Sequence, residues 1–198
     1  LFAPLPGADV RVKRPKIRNY LSDISLTMNE TAQKTKESPV DNQGFPDAKN
    51  AWNFEYLGYR IDFRSGLSVS MSRKRLARYR NRLSACFQRY ESQRSKNHKK
   101  AYRLLIKRIR FLTSNTQLTH NKSNANVGIY FNNMHLTDQK DLIALDRILS
   151  ANVGRLSSPS LRAKLSTYSF VNGFNQRTLR RFHKKGEFTE IVEAWKYE

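Results

Sequence analysis

The chain has 198 residues and carries 37 Lys and Arg against 16 Asp and Glu, a net charge of +21, far beyond what solubility requires, which points to a polyanionic partner. No apolar run approaches the roughly 20 residues of a membrane-spanning helix, and the basic stretches carry little bulky apolar surface to insert into a bilayer, so nucleic acid is expected and membrane is not. Cys86 is the single cysteine, which excludes an internal disulfide and a cysteine-rich zinc site and suits a reducing compartment, the cytoplasm.

This length fits one moderate domain, or the tail of one joined to a second; two are expected. The chain opens on Leu1 in place of Met, which suggests a sequence that starts inside a longer protein. Residues Leu1 to Pro15 hold three prolines and the basic cluster Arg11, Lys13, Arg14 and read as an irregular entry. Ile17, Tyr20, Leu21 and Ile24 then recur at helical spacing, predicting a short helix over Lys16 to Ser25. From Asn29 to Asn50 polar residues surround Pro39, Gly44 and Pro46, the composition of a loop.

Period-two alternation follows. Leu57, Tyr59, Ile61 and Phe63 alternate with Gly58, Arg60 and Asp62; after Arg64-Ser65-Gly66 the pattern resumes at Leu67, Val69 and Met71. This predicts a β-hairpin with its turn at 64–66 and one apolar face. The period then shifts to 3.6. Behind a Ser72 N-cap, Leu76, Tyr79, Leu83, Phe87 and Tyr90 line a helix with Arg75, Arg78, Arg82 and Arg89 off the stripe. A second helix repeats the arrangement with Tyr102, Leu105, Ile106, Ile109 and Leu112, surrounded by Arg103, Lys107, Arg108 and Arg110. Between Ser72 and Arg110 there are fifteen Lys or Arg and one acid, Glu91. Solvated faces usually mix both signs, so this imbalance favours phosphate binding.

Residues Thr116 to Asn133, rich in Asn and Thr, read as irregular. Thr137, Asp138 and Asp141 open a third helix containing Leu142, Leu145, Ile148 and Leu149, and Ser158-Pro159 opens a fourth in the N-cap then N1 arrangement. Two short helices are expected around Thr178 to His183 and Thr189 to Trp195. The aromatics Tyr79, Phe87, Tyr90, Tyr102 and Phe111 fall at core spacing, and Cys86 beside them reads as a small buried hydrophobe. His98, His120, His135 and His183 show no metal-ligand spacing, so no metal site is assigned.

The order of these elements resembles the palm end and thumb of bacterial reverse transcriptases of the group II intron, retron and defence-associated kinds. The resemblance rests on LTMNETAQKTKE (Leu26 to Glu37), FEYLGYRIDF (Phe54 to Phe63) with its hairpin, and the basic amphipathic helix behind it. YSFVNGF (Tyr168 to Phe174) and IVEAWKYE (Ile191 to Glu198) extend it. It implies an α+β fold, with the end of a polymerase palm and its antiparallel hairpin over 1–71 and a mostly helical thumb over 72–198.

The activity it implies is RNA-directed DNA synthesis, with antiviral defence as one setting, carried out beside upstream fingers and palm. The implied partners are an RNA template, a DNA product and a noncoding RNA. No two Asp residues are adjacent in the sequence, and Tyr20-Leu-Ser-Asp23 falls in a helical stripe, so the implied Mg2+ ligands lie outside this chain. Lys34 is the residue matching the family's pyrophosphate-side lysine, with four residues between Asn29 and Lys34 where the family has two. The implied primer-grip hairpin comprises Tyr56, Leu57, Gly58, Tyr59 and Gly66. The expected phosphate contacts are Arg64, Arg73, Lys74, Arg75, Arg78, Arg82, Arg89, Lys99, Lys100, Arg103 and Lys107. A non-catalytic, maturase-like RNA-binding protein is the alternative, and a module docking an acidic protein is a third reading.

Overall fold

The computed structural model describes residues 10–27, 53–63, 66–118, 125–181 and 186–195. The fold is mixed α+β and mostly helical, with two small sheets. The chain divides into two compact units, Leu1–Phe54 with Ile61–Ser68, and Glu55–Arg60 with Val69–Glu198.

In the first unit, helix α1 runs Val10–Asp23, six residues earlier than the expected start at Lys16. Pro15 lies inside it, close enough to the start that its missing N–H removes only one bond beyond the four that every helix leaves open. Tyr20 to Asp23 therefore belong to a helix. Phe54 and Phe63 stack with centroids 6.5 Å apart.

Strands β1 (Asn53–Tyr56), β2 (Tyr59–Asp62) and β3 (Ser68–Met71) form a sheet in that order. The expected single strand from Leu57 to Phe63 is thus broken. Leu57 and Gly58 have φ of 47° and 81°, a two-residue turn of the kind whose twist matches a hairpin. Leu57 points away from any core and is 74% exposed. Periodicity alone hid the turn, because a leucine in the left-handed region is uncommon.

In the second unit, α2 (Arg73–Arg94) and α3 (His98–Thr113) make a helical hairpin. Ser72 caps α2 as expected, its side chain accepting from the Arg75 N–H at 3.2 Å, and Asn97 caps α3 through the Lys100 N–H at 2.9 Å. Leu83, Cys86, Phe87 and Tyr90 of α2 meet Ala101, Leu105, Ile109 and Leu112 of α3 in one buried cluster. Tyr79, Tyr102 and Phe111 pack partly buried against it, so the aromatic stripe serves the core.

Helix α4 (Lys140–Gly154) adds Leu142, Leu145, Leu149 and Val153, and α5 (Pro159–Leu165) adds Leu161 and Leu165 behind its Ser158 cap. Thr137 does not cap α4. It pairs with the edge of β3, its hydroxyl accepting from the Val69 N–H at 2.9 Å while its own N–H donates to the Val69 carbonyl at 3.0 Å. Asp141 accepts from the Met71 N–H at 2.9 Å, so the start of α4 closes a strand edge.

Two expectations fail here. The Thr116 to Asn133 stretch contains strands β4 (Asn115–Gln117) and β5 (Asn126–Gly128), and Leu179–Arg181, expected within a helix, is strand β6. The sheet order is β5-β4-β6, with β4 antiparallel to β5 and parallel to β6. Helix α6 (Phe170–Gln176) precedes β6, and α7 (Glu187–Val192) with a 3-10 turn, Glu193–Trp195, follows it.

Candidate nucleic-acid interface

The Leu57-Gly58 turn sits on the first turn of α2. The Ser72 N–H donates to the Gly58 carbonyl at 2.9 Å, and Glu55 accepts from the Arg73 N–H at 2.8 Å, satisfying a donor that the helix start leaves open. Arg75 then clamps the turn: Nη2 donates to the Leu57 carbonyl at 2.9 Å and Nη1 to the Asn132 carbonyl at 2.8 Å. Its guanidinium lies 4.4 Å over the Tyr59 ring. The Tyr59 hydroxyl donates to the Asn132 carbonyl at 3.2 Å, and its ring meets His135 edge-on at 5.6 Å. Gly58 suits this clamp, because its φ of 81° is one that side chains rarely adopt and a Cβ there would overlap the Arg75 guanidinium.

Four of the five expected hairpin residues, Tyr56, Leu57, Gly58 and Tyr59, are therefore brought to the start of the basic helix, with Tyr56 and Leu57 exposed. Gly66 (φ 96°) belongs to the other unit. Arg64 and Lys34 lie outside the described residues.

The cations of α2 and α3 divide by burial. At about 100° per residue, Arg75, Arg78, Arg82 and Arg89 share one narrow stripe of α2, and Lys99, Lys100, Arg103, Lys107 and Arg110 share one face of α3. Arg73, Lys74, Arg78 and Arg89 are exposed on α2, as are Lys99, Lys100, Arg103 and Arg110 on α3. Three others are engaged by the C-terminal segment. Arg82 lies 5.6 Å over the Trp195 ring. Lys107 pairs with Glu187 at 3.0 Å. Arg108, 3% exposed, donates from Nε to the Ile191 carbonyl at 3.2 Å and from Nη2 to the Glu190 carbonyl at 3.3 Å.

Arg75, Arg82 and Lys107 of the expected phosphate contacts thus have work inside the fold. Burial lowers the Arg108 pKa from its ordinary value, against the raising influence of nearby Glu193 and Glu190, because desolvation disfavours the cation. The exposed remainder still presents a surface in which cations far outnumber acids, and phosphate contact through several Lys and Arg is the chemistry such a surface supports. Arg180 and Arg181 of β6 are further cations absent from the expected set; the helical reading of 178–183 concealed them.

Among the described residues no group of three or more His, Cys, Asp or Glu is placed to hold a metal ion. Among them, too, no helix is long and apolar enough to cross a membrane. No family model matches the chain, and neither a curated protein nor a solved structure matches it.

Proposed function

We propose that this chain is the palm-end and thumb part of a cytoplasmic RNA-directed DNA polymerase of the bacterial, defence-associated kind, holding the primer-template duplex while catalytic carboxylates and Mg2+ lie outside it. The carrying observation is the clamp that fixes the Leu57-Gly58 turn onto the N-terminus of α2 through Arg75. A helix that tracks phosphates and a turn that touches the strand end must keep a fixed offset for the reacting groups to align. Arg73, Lys74, Arg78 and Arg89 then contact the backbone along α2, with Lys99, Lys100 and Arg103 on α3.

The test is a filter-binding titration of RNA–DNA duplex and of single strands across salt. A grip that neutralises six to ten phosphates loses about 10³ to 10⁵ in affinity between 50 and 200 mM salt. Duplex preference with that slope supports the proposal, and salt-insensitive or absent binding removes it. The lack of any Asp-Asp pair favours a second reading, a non-catalytic maturase-like RNA-binding protein. That reading predicts tight binding to structured RNA and no polymerisation beside any upstream partner.

A further inference from the structure

A second cationic site lies away from the hairpin, where the end of α3, strand β6 and α7 enclose a cleft of about 340 Å³, its open mouth included. Its enclosed part is only about 40 Å³, well below a small-molecule pocket, so it has room for one small group. Lys107, Arg110, Arg180 and Arg181 line it, and among the described residues Glu187 is the one acid in its wall. Glu187 is taken by Lys107 at 3.0 Å. Arg181 Nε is held by the neutral Gln117 amide oxygen at 2.8 Å, which orients its guanidinium without cancelling its charge. Parallel pairing sets Arg180 beside Thr116 and Arg181 beside Gln117, so both arginines stand on a sheet and not on a loose loop.

The charge imbalance carries the argument: with Glu187 taken by Lys107, no described acid in the wall answers Arg110, Arg180 and Arg181. Arg180 Nε is shielded from solvent, so its guanidinium can meet a ligand only through its Nη groups. Arg180 also lines an adjoining polar hollow with Asn172, Gln176 and Thr178.

We propose that this cleft binds a phosphate monoester, with its oxygens accepting from the Nη groups of Arg180 and its remaining charge met by Arg110 and Arg181. Arginine suits this because its guanidinium is a planar, charged donor that matches phosphate oxygens. A terminal monophosphate fits better than an internal phosphodiester. It carries nearly two charges at pH 7, and as a chain end it can enter a recess that a continuous backbone would only pass over. The adjoining hollow gives the attached sugar polar surroundings.

The site rests on its own geometry and survives if the duplex grip does not. The test uses the full chain with three probes: inorganic phosphate, and one short oligonucleotide sequence made with a 5′-phosphate and with a 5′-hydroxyl. The expected result is about tenfold or more tighter binding of the phosphorylated oligonucleotide, abolished in Arg180→Gln and in Arg110→Gln. The second variant changes an exposed residue and covers the case in which the first misfolds. Lys99→Gln and Arg103→Gln should weaken both oligonucleotides alike and leave the preference intact.

Saturable binding of inorganic phosphate that competes with neither oligonucleotide, and that is lost in both arginine variants, supports the cleft with free phosphate as the source. Should the chain bind phosphate but no duplex, the grip fails and the cleft stands. Equal binding of the two oligonucleotides with no phosphate saturation overturns the proposal, as does a 5′-phosphate preference that survives both arginine substitutions.

Discussion

Arg75 donates to the carbonyl of Leu57, eighteen positions earlier in the chain, at 2.9 Å, and this one bond ties a tight turn to the helix expected to carry phosphate contacts. Arg75→Ala also loses the Asn132 bond and the Tyr59 stacking, but the released carbonyls are near the surface and regain water. The expected destabilisation is therefore modest, about 1–2 kcal/mol, read as a lower urea midpoint. Gly58→Ala should cost a similar amount, because its φ of 81° strains any side chain and the new Cβ displaces Arg75. The double variant should cost less than the sum of the two, since both break the same clamp. Full additivity would mean that the clamp does not hold the turn.

Arg108→Met should be more damaging than any substitution of an exposed arginine in the same helices. The side chain is buried and its two bonds serve carbonyls at the end of α7, groups a helix terminus leaves without partners. Removing a charged donor from buried acceptors costs about 2–3 kcal/mol. Thermal unfolding should show it, with Trp195 fluorescence shifting as the C-terminal segment loosens. An unchanged midpoint would place the segment's attachment elsewhere, in Phe111 and its contacts with Phe188 and Trp195 at 5.6 and 6.3 Å.

Gly173→Ala tests the close approach of α6 to the end of α3. A Cβ at 173 would overlap the Thr113 carbonyl oxygen, and that atom is backbone, so relief requires moving a helix. The same glycine's carbonyl accepts from buried Asn115 at 2.9 Å, and a shift of α6 breaks this bond too. A loss of about 3 kcal/mol or more is expected, measured by denaturant unfolding.

The two basic helices were legible because each carries a 3.6-residue apolar stripe, with Ser72 marking the start of the first; the Asn97 cap of the second went unread. The Ser158-Pro159 start was legible for the same local reason. What escaped was structure set by distant partners. β4 is buried although it reads Asn-Thr-Gln, because Asn115 bonds to Tyr130 and Gly173, contacts no local pattern announces. β6 pairs with β4 more than sixty positions away. The interface showed the same division. Charge density predicted a cationic surface, but nothing local separates Arg78, which is exposed, from Arg75 and Arg108, which hold carbonyls. Thr137, read as part of a helix start, instead closes the edge of β3.

Tyr79 supplies a pH test. Burial raises its pKa above the ordinary 10.0, while hydrogen bonding to Asn133 and nearby arginines lower it less. A group whose folded pKa is raised contributes stability that is complete below the unfolded value and lost as pH climbs through the folded one. Tyr79→Phe removes the acceptor of the Asn133 amide, 3.1 Å away, and should cost about 1 kcal/mol at pH 7. Above pH 10 the native chain loses stability through Tyr79 ionisation and the variant does not, so the gap between them should narrow. Parallel stability curves from pH 8 to pH 11 would contradict the assignment.

Salt dependence separates cations that touch phosphate from those that hold the fold. Each phosphate contact releases condensed counterions, so its loss flattens the log–log plot of affinity against salt by about 0.9. Arg78→Gln, Arg89→Gln and Arg103→Gln remove exposed cations and should each lower duplex affinity and reduce the slope by about 1, with little change in the unfolding midpoint. Arg82→Gln should do the reverse, because its guanidinium is spent on the Trp195 ring: some stability is lost and the slope stays near its original value. If Arg78→Gln and Arg82→Gln flatten the slope equally, the stacked arginine also reaches the backbone. The C-terminal segment would then have to move aside when duplex binds, which protection of the 187–195 amides from hydrogen exchange, with and without duplex, would reveal directly.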